Sequence, residues 1–412
     1  MTENTRPIHT QMKKFPIKDS ELLIGNIPIS RLAARVGSTP FYAYDRNLIT
    51  EQVDVLRMHL PVTVQIHYAM KANPMPAIVQ HLANIVDGLD VASHKEMLVA
   101  LDTGINPSNI SFAGPGKSDA EIACAVAAGV IINLESDREL SSTISAGEKL
   151  DIKPKVSVRV NPDFEIKGSS MKMGGGPKQF GVDAEIVPEM LKRIDASKIA
   201  FEGFHIFSGS QNLKADSISE AQTNALELAY RLSKHTKSIV KSVNIGGGFG
   251  IPYFPGDIPL DITSIGRKLN EQMHIVNTQL PHANIIIELG RYLVGEAGLY
   301  ICCVIERKVS RGQVYLITDG GMHHHLAASG NFGQVIRKNY PVVIANRMQE
   351  TNKETVSVVG PLCTPLDLLA DKMELAHAEK GDLIAIYQSG AYGLTASPLG
   401  FLSHPTPKEV LV

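Results

Sequence analysis

The sequence predicts an α/β protein: a (β/α)8 barrel of the TIM type over residues 45–296, with a β-rich domain built from residues 1–44 and 297–412, largely the C-terminal part. Three observations predict it. Eight short apolar, β-rich runs recur between residues 45 and 296 with helical spacing between them. Eight such units are the number that closes a barrel. After about Gly298 the alternation stops, and strand-like runs follow one another with few helical periods between them.

The eight candidate strands are Val62–Tyr68, Gly88–Ala92, Asn109–Ala113, Val130–Leu134, Lys155–Val160, Gly203–Phe207, Ser242–Ile245 and Asn284–Leu289. Helical spacing fills the intervals, for example Ala77–Leu82, Lys95–Leu101, Ala120–Ala128, Val187–Ile194 and Ser217–Leu232. The run Met173–Pro177, MGGGP, is expected as a loop between the fifth and sixth units. Beyond the barrel, Leu299–Arg307, Val314–Thr318, Val356–Val359 and Leu383–Tyr387 read as strands. The first 44 residues look irregular and poor in strands except for Phe41–Tyr44.

The composition, 44% hydrophobic and 20% charged, is that of a globular protein. A formal net charge of -2 favours neither nucleic acid nor an anionic membrane as partner. The opening MTENTRPIHTQMKK has no apolar stretch of the signal-peptide kind, and the apolar region Ile285–Ile305 is broken by Glu288, Arg291 and Glu296. Cys124, Cys302, Cys303 and Cys363 form no C-x-x-C pair, so a reducing, cytoplasmic setting is expected.

In a barrel of this kind, chemistry sits at the C-terminal ends of the strands. The first strand ends in HYAMKAN, which places Lys71 there; the second carries Asp90; the fifth ends around Arg159 and Asn161. The sixth ends in FSGSQ, the seventh in GGGFG and the eighth in ELGR. Gly246, Gly247 and Gly248 let backbone N–H groups approach an anion, and barrel phosphate sites favour the loops after strands 7 and 8. Arg291 adds a guanidinium fork. Taken singly, these glycines also read as a tight turn, and Lys71 as a lysine snorkelling to solvent. The combination of a central lysine, a phosphate loop and the carboxylate of Glu288 points instead to an aldehyde cofactor held by the lysine, with a carboxylate beside its pyridine nitrogen.

His323, His324 and His325 raise a metal reading. On a strand, consecutive side chains alternate between faces, so three in a row do not converge on one ion, and no metal is expected. Cys363, in GPLCTP, reads by itself as a small buried hydrophobe.

The motifs YAMKAN, DVAS, GPGK, RVNP, GSQ, GGGFG, ELGR, GPLC and GAYG, in this order from TPFYAYD at Thr39–Asp45 to SGAYG at Ser389–Gly393, resemble those of the fold type III decarboxylases that depend on pyridoxal 5'-phosphate (PLP). This is the ornithine/diaminopimelate/arginine decarboxylase group, which has the alanine racemase-like fold. The resemblance implies that Lys71 is the Schiff-base lysine and that Asp90 supports its surroundings. It implies that Ser210, Gly247, Gly248, Gly290 and Arg291 hold the phosphate region, and that Glu288 partners the pyridine nitrogen. Cys363 is implied as the acid that reprotonates the substrate carbanion, reaching across from the second subunit of a homodimer, with Tyr392 as a cofactor contact from the same subunit. Arg337, Tyr340 and Thr364 are implied on the substrate side.

Two departures from the family pattern stand out. Phe207 occupies the position where the family usually stacks a histidine on the cofactor, and His205, two residues earlier, is expected on the same strand face. Thr364 follows Cys363 where diaminopimelate and ornithine decarboxylases carry an acidic residue for the distal amino group; Asp367 is a candidate substitute. The runs KMGGGPKQFG, SGSQNL, DGGMHHH, GPLCTP and FLSHPTPKEVL resemble the butirosin-pathway decarboxylase of glutamate tethered to an acyl carrier protein. With HLAASGNFGQVIR, they resemble still more the decarboxylases associated with exosortase A systems. The expectation is an amino-acid decarboxylase, with a carrier-tethered substrate favoured over a free basic amino acid. The alternatives are decarboxylation of free diaminopimelate or ornithine, a racemase of the same fold, and a non-catalytic homologue.

Overall fold

The computed structural model describes residues 7–165, 171–172 and 174–412; Met173 of the MGGGP run lies outside them. The chain forms two compact units. One comprises residues 52–250 and 260–292, the other residues 1–51, 251–259 and 293–412.

The first unit is a closed parallel barrel. Its strands are β1 (Val64–Ala69), β2 (Gly88–Val91), β3 (Ile110–Phe112), β4 (Ile131–Leu134), β5 (Lys155–Asn161), β6 (Ala200–Ile206), β7 (Ser242–Gly247) and β8 (Asn284–Leu289). Each pairs with the next, and β8 closes on β1 through registers such as Glu288 opposite His67. Both faces of these strands are covered, which explains runs such as Ile285, Ile286 and Ile287 with no polar alternation. Sequence-level strand positions match to within a few residues. Helices start where serine follows a strand end. Ser93 caps His94–Asp102, Ser118 caps Asp119–Ala128 and Ser136 caps Asp137–Leu150. Ser118 and Glu121 form a capping box, which satisfies two orphan N–H groups reciprocally.

The second unit is a mixed sheet of β9 (Gly298–Ser310), β10 (Gln313–Thr318), β11 (Val342–Ile344), β12 (Lys353–Val359), β13 (Leu368–Ala376), β14 (Leu383–Ile386) and β15 (Lys408–Leu411) with Phe41–Tyr44. The N-terminal segment is more ordered than its composition suggests. Ile17–Lys18, Glu21–Ile24 and Ile27–Pro28 form a small antiparallel sheet, followed by the helix Ile29–Val36. Its two reversals, Asp19-Ser20 and Gly25-Asn26, all have positive φ. That is the twist that two-residue hairpins require.

The three histidines are not on a strand. They lie in a turn after Gly321, all buried. His324 contacts Pro405 O at 2.9 Å and the Tyr300 hydroxyl at 3.3 Å, and His325 contacts Ser389 Oγ at 2.9 Å. Burial, with the neighbouring imidazoles for His323, holds His323 and His325 down at about 3 and His324 at about 4, so the cluster is uncharged near neutrality. The alternation argument against a metal therefore does not apply here. Among the described residues, no group of three or more His, Cys, Asp or Glu side chains is arranged to hold an ion. Among those residues, no helix is long and apolar enough to cross a membrane.

Candidate active site

β1 runs into a single 3-10 turn, Met70–Ala72, that carries Lys71. The buried Tyr68 hydroxyl donates to Asn73 O at 2.7 Å and ties the turn down. From there Lys71 Nζ donates to Glu288 Oε1 at 3.2 Å. His205 Nε2, on β6, donates to Glu288 Oε2 at 2.9 Å. Three strands thus bring together an amine, a carboxylate and an imidazole. Burial by itself would raise the Glu288 carboxyl, but the Lys71 charge first, then His205, and then Arg159 hold it well below the usual carboxylate range. Glu288 is therefore an anion at any ordinary pH.

Phe207 lies just past the end of β6, with its ring centre 5.4 Å from Lys71 Nζ. His205 and Phe207 do different work: one orients the carboxylate and the other walls the lysine. In the register of β1 and β2, Asp90 stands opposite Ala69. It accepts from His67 Nδ1 at 3.4 Å and, closely, from the Ser111 hydroxyl; its Oδ2 is buried without a partner among the described residues.

The glycines after β7 bring backbone close to backbone. A Cβ on Gly247 would lie 2.1 Å from Glu288 O, and one on Gly248, at φ +73°, would lie 2.1 Å from Gly209 O. The loop of Gly209 and Ser210 is thereby held against the end of β7, where Asn212 N also donates to Gly248 O at 3.0 Å. Gly290 is equally confined, with a Cβ 2.8 Å from that of Ala72, and Arg291 follows it. A primary amine beside a buried anion, an aromatic wall, glycine backbone and a guanidinium match the aldehyde, pyridinium ring and phosphate of PLP. The barrel's residues fit that cofactor.

One feature escaped the sequence reading. Glu135, directly after β4, accepts from Arg159 NH1 at 2.9 Å, Gly114 N at 2.6 Å and Gly181 N at 3.0 Å. Beside it Lys117 Nζ meets Glu139 Oε2 at 3.0 Å, fully out of water. GPGK and RVNP held two of the four members in plain view, but their partners follow only from the pairing of β3, β4 and β5.

The other predicted residues belong to the second unit. Cys363 is exposed, contrary to its reading as a buried hydrophobe, because it sits at the tip of the loop between β12 and β13. Thr364 follows, its hydroxyl accepting from Leu366 N at 3.3 Å. Asp367 is turned inward, accepting from Met322 N at 2.6 Å and Leu362 N at 2.8 Å. Arg337 spans two loops, with Nε donating to Ser329 O at 3.0 Å and NH2 to Leu368 O at 2.7 Å, while NH1 is buried with no partner among the described residues. Tyr340 is buried, its ring centre 4.8 Å from that of Tyr253. Tyr392 occupies a turn at φ +53°.

Residues 46–295 match the family described as pyridoxal-dependent decarboxylase, pyridoxal binding domain. The chain belongs to this family. The protein is accordingly a PLP-dependent carboxy-lyase acting on an amino-acid substrate. The decarboxylase is 37% identical over 379 residues to the L-glutamyl-[BtrI acyl-carrier protein] decarboxylase of Niallia circulans, covering 90% of this chain and 88% of that one. It is 32% identical to the diaminopimelate decarboxylase of Aquifex aeolicus, covering 96% and 91%. Its fold superposes on the M. jannaschii diaminopimelate decarboxylase crystallised with L-lysine with a TM-score of 0.88, at 25% identity, over 97% of this chain and 93% of that one.

Proposed function

We propose that the enzyme removes the α-carboxylate from an acidic amino acid tethered through its side-chain carboxyl to an acyl carrier protein, with Lys71 as the cofactor lysine and Cys363 as the proton donor. The observation that carries the substrate reading is the loop Cys363–Asp367. A free basic amino acid needs a carboxylate for its distal ammonium. Position 364 offers only a hydroxyl, and the Asp367 carboxylate is buried and consumed by two backbone N–H groups. An ammonium left unpaired in a dry site costs several kcal/mol, enough to suppress binding by orders of magnitude. The unpartnered Arg337 NH1 supports part of a carrier-linked group, such as a thioester carbonyl, in its place. Identity to the glutamyl-carrier-protein decarboxylase supports tethering.

Bound in the barrel, PLP supplies an electron sink conjugated to the substrate Cα, which lets the bond to the carboxylate break. Lys71 would hold the cofactor through its amine. Glu288, oriented by His205, would keep a proton on the ring nitrogen. Phe207 would present a ring face to the cofactor, and Asp90 would support the end of β1. Ser210, the backbone of Gly247, Gly248 and Gly290, and Arg291 would hold the phosphate. Cys363 would supply a proton to the substrate Cα. In this reading the working unit is a cytoplasmic homodimer in which Cys363 and Tyr392 serve the partner's barrel, and Tyr340 and Thr364 line the substrate side. The runs DGGMHHH and HLAASGNFGQVIR, which resemble those of decarboxylases associated with exosortase A systems, support that setting.

The test is CO2 release from glutamyl and other aminoacyl carrier proteins compared with free lysine, ornithine and diaminopimelate. Tethered substrates should be preferred. Turnover of a free basic amino acid with kcat/KM at or above about 10⁴ M⁻¹s⁻¹ would overturn the reading.

A further inference from the structure

A groove of about 510 Å³ opens on the β-rich unit beside the loop of Cys363 and Thr364. Its floor is the alternate residues Gln313, Tyr315 and Ile317 of β10, continued by Ser357 and Val359 of the parallel neighbour β12. Residues two apart share a face, so one stripe of side chains runs the length of β10. From Gln313 to Ile317 that stripe covers roughly 13 Å, at about 3.3 Å per residue.

Polarity changes along it. The end at Thr364 is lined mainly by the apolar Ile317, Val359 and Leu362, with Asp367 beside them, its carboxylate oxygens taken by backbone N–H groups. The far end is polar: Gln313 Nε2 donates to Ser357 Oγ at 3.1 Å, and Ser357 Oγ to Asp371 Oδ1 at 3.0 Å. Lys308 is exposed and lies directly opposite Tyr315 in the β9–β10 register, midway along the stripe, while Ser310 stands opposite Gln313 at the polar end.

We propose that this groove receives the pantetheine-type arm of the carrier-tethered substrate; the inference rests on the tethered-substrate reading above. A free amino acid ends at position 364. A tethered one continues there through a thioester and methylenes, then amides, then a phosphate. The groove meets the first two of these in the same order: apolar side chains lie next to Thr364, and the amide and hydroxyl groups of Gln313 and Ser357 follow, with Lys308 flanking the stripe beside Tyr315.

The experiment compares glutamyl carrier protein with glutamyl N-acetylcysteamine thioester, which keeps the thioester and lacks most of the arm, using holoenzyme and the variants Lys308→Glu and Tyr315→Ala. The wild type should prefer the carrier protein. Each variant should raise KM for it and lower the ratio of the two kcat/KM values by about tenfold, the signature of lost uniform binding. Lys308 is exposed on a strand end, so its variant keeps the test readable if Tyr315→Ala fails to fold. A wild-type preference that survives both substitutions sinks the groove alone. A wild type that decarboxylates free glutamate as well as the carrier protein sinks the tethered reading and the groove with it.

Discussion

The two units present their functional side chains in opposite ways. In the barrel, the carboxylates are dry and neutralised: Glu288 is 5% exposed and held by Lys71 and His205, and Glu135 by Arg159 and two backbone N–H groups. In the β-rich unit, Cys363 and Thr364 ride at the tip of a loop whose backbone is tied from inside by Asp367 and Arg337. A buried, prearranged charge needs no reorganisation when the reaction occurs, and it acts in a medium of low polarity. An exposed tip can instead enter another site. The contrast teaches that the barrel is built to offer a field, and the loop to offer reach.

That contrast can be broken by experiment. The largest effect should come from Lys71→Ala. Loss of the nucleophilic amine should reduce kcat by about 10⁴-fold, and borohydride reduction of wild-type holoenzyme followed by peptide mapping should label Lys71. Label on another lysine removes the barrel from the argument. Glu288→Gln should keep cofactor absorbance yet lower kcat by roughly 10²–10³-fold, because the field and not the contact is lost. Unchanged turnover would mean that the buried anion is structural.

Glu135→Gln tests the field as stability. Burial raises the Glu135 carboxyl, but Arg159, Lys117 and the Gly114 and Gly181 N–H groups bring it below 4.5 overall. Its folded value is depressed, so its contribution is present above pH 4.5 and is lost as pH falls through the folded value. The variant should be about 3 kcal/mol less stable in urea at pH 7, since it leaves Arg159 buried and uncompensated, and the gap should narrow below pH 4.5. A gap independent of pH would show that packing, not charge, is at stake.

Cys363→Ala should lower kcat by about 10²-fold, the scale of one lost proton donor. If the sites are shared across a dimer as proposed, mixing it with Lys71→Ala should restore part of the activity, because one site of a mixed dimer keeps both groups. A dead mixture with demonstrated subunit exchange would confine Cys363 to its own barrel.

Most of the barrel was legible because its signals are local. β-branched runs such as Ile285–Ile287 are covered on both faces, serines open the helices, and the rule that chemistry lies at strand ends led to Lys71, Glu288 and the glycines. What was missed depends on register. Glu135 and Arg159 are 24 residues apart and meet only once β4 lies beside β5. β13, LLADKMELA, is full of helix-forming residues and becomes a strand through its pairing with β12. The histidine run resembles a strand until Gly321 turns the chain. Cys363 as an exposed tip required knowing that Asp367, four residues on, faces inward.

Asp367 has one more consequence. A Cβ on Gly321 would come within 2.2 Å of its carboxylate and one on Gly360 within 2.3 Å, so the base of the loop admits no larger neighbour. The tip is under no such constraint: Cys363, Pro365 and Leu366 are all exposed. Inheritance can therefore act on the two parts separately. In the function proposed above, the base would preserve the height and direction at which the Cys363 thiol is offered, while exchanges at position 364 would retune which distal group is welcome. A lineage built this way can change diet one codon at a time without rebuilding its catalyst.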